Sequence, residues 1–225
     1  MNLRGLSKFL AGLKAHNRKS WFETHRAEYD ALRSEFEELV QEVILRVARF
    51  EPEVADVTPR ECIYRIYRDV RFAKDKSPYK TNFSAGIGPT GKKGGAESYY
   101  FHIDAAGKLL VAGGIYMPDG RQLLQIRRAI ADDPRGFQAI VTSAAFRRRF
   151  GGLYDKDSLK RPPRGFDCDH PAMEWLKLKR YVAWSEKPAA AVGSGKLAAY
   201  VADECRALQP LSSWLRAALA RAAAQ

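Results

Sequence analysis

Three short segments near the middle of the chain decide the fold: TNFSAGI (81–87), SYYFHID (98–104) and LLVAGGIYM (109–117). Each has the length and the aromatic and branched content typical of a β-strand. Ala105-Ala106-Gly107 is short enough to join the second and third segments as an antiparallel hairpin. No helix alternates with these segments, so we do not expect the parallel sheet of a βαβ fold.

Helical patterns lie on both sides of this block. Apolar residues recur at helical spacing in 5–16 and from Trp21 to about Phe50, where Ser20 and Glu23 fit a capping box. Further helices are predicted from Pro118 to about residue 150 and at 171–182, 193–207 and 211–223. We therefore predict an α+β fold in a single domain, 1–225, with a mostly antiparallel sheet of about four or more strands. Its parts are N-terminal helices at about 5–50, a central sheet at about 62–117 and C-terminal helices at about 118–223.

The composition favours an anionic partner. Lys and Arg number 38 against 26 Asp and Glu, which gives a formal net charge of +12. A charge of this size favours association with nucleic acid or phosphorylated molecules. The three cysteines form no CxxC pair and fit reduced thiols in the cytoplasm. We expect no metal, no cofactor, no signal peptide and no membrane association.

Charged and aromatic side chains are most concentrated in the motif YRIYRDVRFAKDKSPYKTN (64–82). Its first residues continue a predicted strand that begins at Cys62. Its cations suit a phosphate, since guanidinium forks and ammonium groups both bind that anion. The predicted anion-binding residues are Arg68, Arg71, Lys74, Lys76 and Lys80. Asp69 and Asp75 are predicted to orient these cations.

Arg68 is the most informative residue of this motif. Strand alternation places it beside Tyr64, Ile66, Val70 and Phe72 on an apolar face. A guanidinium there needs either a ligand or a carboxylate. The carboxylate would come from a helix residue such as Glu35 or Glu38, and both explanations stay open.

Aromatic residues and their neighbours are further candidates for ligand binding or catalysis. Tyr67, Tyr79 and Tyr100 are possible stacking platforms for unpaired bases. Tyr100, His102 and Asp104 share one face of the segment 98–104, and ordinary sheet packing also explains these rings. Asp69 and His102 are the weak candidates for a catalytic acid or base.

Other basic segments have simpler explanations. The run GPTGKKGG (88–95) lacks the register of a phosphate-binding P-loop and is interpreted as a mobile basic loop. Arg127-Arg128 and Arg147–Arg149 are interpreted as solvated helix faces. No serine-hydrolase elbow, zinc-protease helix or dinucleotide glycine motif occurs in the sequence.

Several of these stretches together resemble a known family. RDVRFAKDKSPYKTN, YYFHID, GGIYMP and PPRGFDCDHP resemble the family of uncharacterised proteins catalogued as domain of unknown function 2461, as does HNRKSWFETHRAEYD near the N-terminus. The resemblance spans nearly the whole chain and implies an α+β domain. It implies no activity, substrate or catalytic residue.

Three hypotheses follow. The first is a cytoplasmic binding protein for nucleic acid or another polyphosphate through residues 64–82. The second is an enzyme that acts on a phosphorylated or anionic small molecule with the same cations. In the third, the motif is a structural network of ion pairs. The sequence fixes neither the ligand nor the oligomeric state.

Overall fold

The computed structural model describes residues 1–93 and 99–221. It has the predicted α+β class: a four-stranded antiparallel sheet with helices at both ends of the chain. The strands are β1 (Asn82–Ile87), β2 (Tyr99–Asp104), β3 (Lys108–Ile115) and β4 (Tyr181–Pro188), in the spatial order β1-β2-β3-β4. The helices are α1 (Leu3–Ala15), α2 (Lys19–Thr24), α3 (Arg26–Val47), α4 (Pro59–Cys62), α5 (Gly120–Asp132), α6 (Pro134–Val141), α7 (Ala144–Phe150), α8 (Met173–Leu176), α9 (Ala189–Val192) and α10 (Leu197–Arg221).

The described residues fall into two compact units. The first comprises 1–93, 99–111 and 186–206, and the second comprises 112–185 and 207–221. The boundaries lie inside β3, inside β4 and inside α10. In the part of the chain that the structure describes, no helix is both long enough and apolar enough to span a bilayer.

The first unit has its core between α3 and one face of β1 and β2. β1 and β2 pair antiparallel, with Phe83 opposite Ile103. Phe36 of α3 packs its ring 5.5 Å from that of Phe83 and 5.7 Å from that of Phe101. Burial alternates along β2 as predicted, so Tyr100, His102 and Asp104 lie together on the other, half-buried face.

The predicted helix from Trp21 to Phe50 is interrupted at His25. The backbone N–H of His25 donates to the carbonyls of Trp21 and Phe22, and its ring Nδ1 lies 2.8 Å from the Trp21 oxygen. This ring also stacks on Trp21 at 3.8 Å. These contacts hold a tight turn between α2 and α3. The prediction of a capping box at Ser20 was wrong, because α2 begins at Lys19 and Ser20 therefore lies inside the helix.

Two predictions in the C-terminal half were also wrong. Only four residues of the predicted helix 171–182 are helical. Tyr181 begins β4, a strand that was not predicted. The predicted helices 193–207 and 211–223 are one helix, α10, which continues through Pro210. Leu208, Leu211 and Leu215 are all buried. Their burial offsets the cost of the proline, which removes one backbone hydrogen bond and crowds the carbonyl four residues before it.

Candidate anion-binding site

The strand predicted to begin at Cys62 is instead a helix end followed by an irregular arm, residues 63–81. α4 ends at Cys62, and single bridges then link Ile63 to Ala85 and Tyr67 to Tyr79. The backbone N–H of Lys80 donates to the carbonyl of Ile66 at 2.7 Å, which closes the base of the arm. Phe72 is 95% exposed, so the apolar alternation does not extend to the end of the motif.

Asn17, in the turn between α1 and α2, fixes the position of this arm. Its side-chain Nδ2 donates to the carbonyl of Tyr79 at 2.9 Å, and its Oδ1 accepts from the N–H of the same residue at 3.0 Å. The amide therefore satisfies both backbone groups of Tyr79 in the way that a neighbouring strand would. Lys80 follows directly, so Asn17 sets where the Lys80 side chain starts.

Two of the predicted anion-binding arginines are already paired with carboxylates. Arg68 forms an ion pair with Asp75, and Arg71 donates from Nε and Nη2 to the two oxygens of Asp69, at 3.0 and 2.7 Å. The Arg68 partner is thus a residue of the arm itself and not Glu35 or Glu38. Glu35 lies 3.8 Å from the N-terminal ammonium.

Each aspartate pairs with one arginine, and Asp75 also accepts hydrogen bonds from Ser77. Oδ1 of Asp75 accepts from the Ser77 hydroxyl at 2.6 Å and from the Ser77 N–H at 2.9 Å. These bonds, followed by that from Arg68, hold the pKa of Asp75 well below its usual range. The bonds from Arg71 likewise lower the pKa of Asp69. An exposed, salt-bridged carboxylate with a lowered pKa is a poor general base, which weakens Asp69 as a catalytic candidate.

Lys80 differs from the other cations of the motif. It is half-buried, and in the described residues no carboxylate lies within ion-pair distance of its ammonium group. The ammonium lies 5.1 Å from the centre of the Tyr64 ring. Burial lowers the pKa of Lys80, and the positive charge of Arg65 lowers it further.

The remaining lysines of the motif are exposed. Lys76 donates to the carbonyl of Val70 at 3.0 Å, and Lys74 stands on the outer part of the arm. Both point charges lie in solvent, where a single contact with an anion contributes little. Of the five predicted anion-binding residues, Lys80 is therefore the one whose surroundings most favour a ligand.

Two grooves of the first unit meet at Lys80. A polar groove of about 410 Å³ is lined by Lys14, Asn17, Arg68, Asp75, Ser77 and Lys80, among others. A second groove of about 730 Å³ contains five cations, Arg33, Arg60, Arg65, Lys80 and Lys92. Its one carboxylate, Glu37, is bound by Arg33 at 2.8 Å. An anion entering this groove therefore meets four cations that have no carboxylate partner in the groove.

Aromatic rings form part of the second groove. Tyr29, Tyr64 and Tyr67 line it, and Tyr67 is 43% exposed. Tyr79, another predicted stacking residue, is buried and lies flat against Phe22 at 4.3 Å, so its ring is not accessible to a ligand. We refer to this second groove below as the tyrosine groove.

Tyr100 and His102 adjoin the site through Tyr64. The rings of Tyr64 and Tyr100 are 6.0 Å apart, and the Tyr100 hydroxyl lies 3.2 Å from Nδ1 of His102. Burial lowers the pKa of His102, although Asp104 and Glu186 oppose the shift. A chain of contacts thus links His102, through two phenol rings, to the ammonium of Lys80.

The loop at 88–95 contributes one residue that its composition did not single out. Gly91–Lys93 is a short 3-10 helix, while Gly94 and Gly95 lie outside the described residues. The Lys92 ammonium donates to the carbonyl of Arg60 at 3.0 Å, and the Lys92 carbonyl accepts from the Tyr64 hydroxyl at 3.4 Å. Lys92 thereby adds its charge to the tyrosine groove.

The other basic runs are not part of this site. Arg147, Arg148 and Arg149 are exposed in the last turn of α7, as predicted for a solvated face. Arg127, by contrast, is buried and donates to the carbonyl of Leu178 at 3.0 Å.

Within residues 1–93 and 99–221, one group of three potential metal ligands lies close together, Asp167, Cys168 and Asp169. All three are exposed and belong to one turn, a common arrangement for which no ion is required.

The comparisons with known proteins identify a family but no activity. The model of the family described as conserved hypothetical protein, domain of unknown function 2461, matches residues 6–214. No curated protein and no solved structure matches the chain. The chain therefore belongs to the family of domain of unknown function 2461, which confirms the resemblance seen in its motifs.

Proposed function

We propose that this protein binds a phosphate-bearing anion, as nucleic acid or another polyphosphate, in the tyrosine groove beside Lys80. The observation that carries the proposal is the state of that lysine. Arg68 and Arg71 each have a carboxylate partner, whereas the half-buried ammonium of Lys80 has none among the described residues.

The energetics of Lys80 support a ligand. A partly desolvated ammonium costs free energy unless an opposite charge lies close to it. The lowered pKa of Lys80 reflects this cost, and the nearby Tyr64 ring offsets only part of it. A phosphate in the groove would supply the missing charge and would also meet Arg60, Arg65 and Lys92.

The wider chemistry of the chain is consistent with this ligand. The net charge of +12 would steer anions toward the protein. The three cysteines are free thiols, and this supports the proposal that the protein works in the cytoplasm.

Binding of a fluorescein-labelled oligonucleotide, followed by anisotropy at ~50 and ~200 mM salt, tests the proposal. Lys80→Met keeps the length of the side chain and removes the charge. We expect affinity to fall roughly 10- to 100-fold, the effect of losing one charge-assisted contact. The slope of log affinity against log salt should flatten by about 1.

Lys8→Met is the matched control. Lys8 is exposed on α1, and the substitution makes the same change in net charge. Lys80→Arg, which restores a cation, should recover part of the affinity. Equal losses in Lys80→Met and Lys8→Met would reduce the interaction to diffuse charge attraction and would refute a site at Lys80.

A second candidate is an enzyme acting on a phosphorylated or anionic small molecule, for which the contacts from His102 to Lys80 are the specific support. Burial lowers the pKa of His102, which favours the neutral form that a general base requires. Release of inorganic phosphate from a panel of phosphate monoesters, compared between wild type and His102→Asn, tests this candidate. Turnover that His102→Asn leaves unchanged would exclude His102 as the base.

A further inference from the structure

We infer that the anion bound at Lys80 belongs to a nucleotide whose base is not stacked in a duplex, with the base lying against the tyrosines of the groove. This inference rests on the proposed function and adds the class of ligand. It covers a free nucleotide and a nucleotide within a single strand, because the phosphate and the base are the same in both.

The first argument is the composition of the tyrosine groove. Besides its cations it is lined by three tyrosines, Tyr29, Tyr64 and Tyr67, of which Tyr67 is 43% exposed. Inorganic phosphate alone would leave this apolar surface in water. A ligand with a flat apolar part would cover it, and the groove volume of about 730 Å³ is in the range of small-molecule sites, ~300–1,000 Å³.

The second argument is how Tyr67 is presented. Its ring lies 5.3 Å from that of Tyr79 and 6.0 Å from that of Phe22, and both of those residues are buried. A ring held in this way by the core loses little freedom when a ligand binds. Since 43% of Tyr67 is still exposed, it combines a fixed position with an accessible surface.

The third argument is the relation between ring and charge. The Lys80 ammonium lies 5.1 Å from the centre of the Tyr64 ring, and Tyr64 and Tyr67 line the same groove. A nucleotide likewise carries an anionic group and a flat apolar base on one sugar, so it can contact the cations and a tyrosine ring of the groove together. In a duplex the bases are stacked inside the helix and their faces do not reach a protein ring, whereas single strands expose them.

The test compares adenosine 5′-monophosphate with ribose 5-phosphate, which keeps the phosphate and sugar and lacks the base. We expect the nucleotide to bind wild type about tenfold more tightly, within the effect of one base–ring stack. Tyr67→Leu should abolish this preference, so that the nucleotide and ribose 5-phosphate bind the variant with similar affinity. Tyr67→Phe retains the ring and should retain the preference. Equal affinity of wild type for the two probes would overturn the inference.

Failure of the inference and failure of the proposed function give different results. If ribose 5-phosphate binds and the binding is lost in Lys80→Met, the anion site stands whatever the base contributes. If neither probe nor any oligonucleotide binds, the anion site itself is refuted. Oligo-dT, as a single strand and as a duplex with oligo-dA, tests the base contact, and comparison of the single strand with adenosine 5′-monophosphate distinguishes a strand from a free nucleotide. Preference for the single strand supports the base contact, and a stronger binding of the duplex contradicts it.

Discussion

Asn17→Ala should destabilise the protein and weaken the anion site together. Asn17 makes two hydrogen bonds to the backbone of Tyr79, a residue that is only 2% exposed. Alanine removes both partners and leaves the buried N–H and carbonyl of Tyr79 unsatisfied. At about 1 kcal/mol for each bond, the loss is about 2 kcal/mol. For a chain of this length, that lowers Tm by about 4–8 °C.

The assay is thermal unfolding followed by circular dichroism, with two comparison variants. Asn17→Asp keeps the acceptor for the Tyr79 N–H and loses the donor to its carbonyl, so its Tm should lie between wild type and Asn17→Ala. Lys19→Ala changes an exposed residue near the same turn and should shift Tm by less than about 2 °C. A Tm for Asn17→Ala within 1 °C of wild type would refute the idea that this amide fixes the arm.

Three further predictions concern charge, backbone and pH. Arg71→Ala should leave the urea midpoint of unfolding close to that of wild type, since the Arg71–Asp69 pair is exposed. Gly114→Ala should cost about 3 kcal/mol or more, because Gly114 has φ +101° and an added Cβ would lie 2.1 Å from the Tyr181 carbonyl oxygen. Gly120→Ala, with open space around it, should be neutral or stabilising; similar losses for the two glycines would contradict this account. Burial lowers the pKa of His102, so the unfolded chain binds its proton first as pH falls below about 6.5, and stability declines there. Urea unfolding at several pH values should show a smaller acid-induced loss for His102→Gln than for wild type, and parallel curves would count against the shift.

Local patterns account for what could be predicted of the fold. The three strands at the centre and the apolar stripe of α1 follow from side-chain periodicity, which the packing of a core enforces. Burial alternates along β2 for the same reason. β4 was missed because its first two residues fell within the predicted helix 171–182, and its pairing with a strand far away in sequence leaves no local signal.

In the site, as in the fold, contacts between residues close in sequence could be predicted and contacts between distant residues could not. Charge density located the motif, and residues two to seven positions apart form its ion pairs, Arg71 with Asp69 and Arg68 with Asp75. The role of Asn17 was not predictable, because its partner Tyr79 is 62 residues away. For the same reason, no pattern distinguished Lys80 from Lys74 or Lys76. The difference lies in burial and in the absence of a carboxylate partner among the described residues, and only the tertiary structure determines both.

Lys80 is a half-buried cation with no carboxylate partner among the described residues, and we propose that an anionic ligand is its partner. The most direct measurement is an NMR pH titration of the Lys80 side-chain Cε signal, assigned with Lys80→Arg, in the absence and presence of inorganic phosphate. We expect a pKa below the ordinary 10.5 in the free protein and a rise when phosphate binds, because a nearby anion favours the charged form. An ordinary pKa that phosphate leaves unchanged would contradict this proposal.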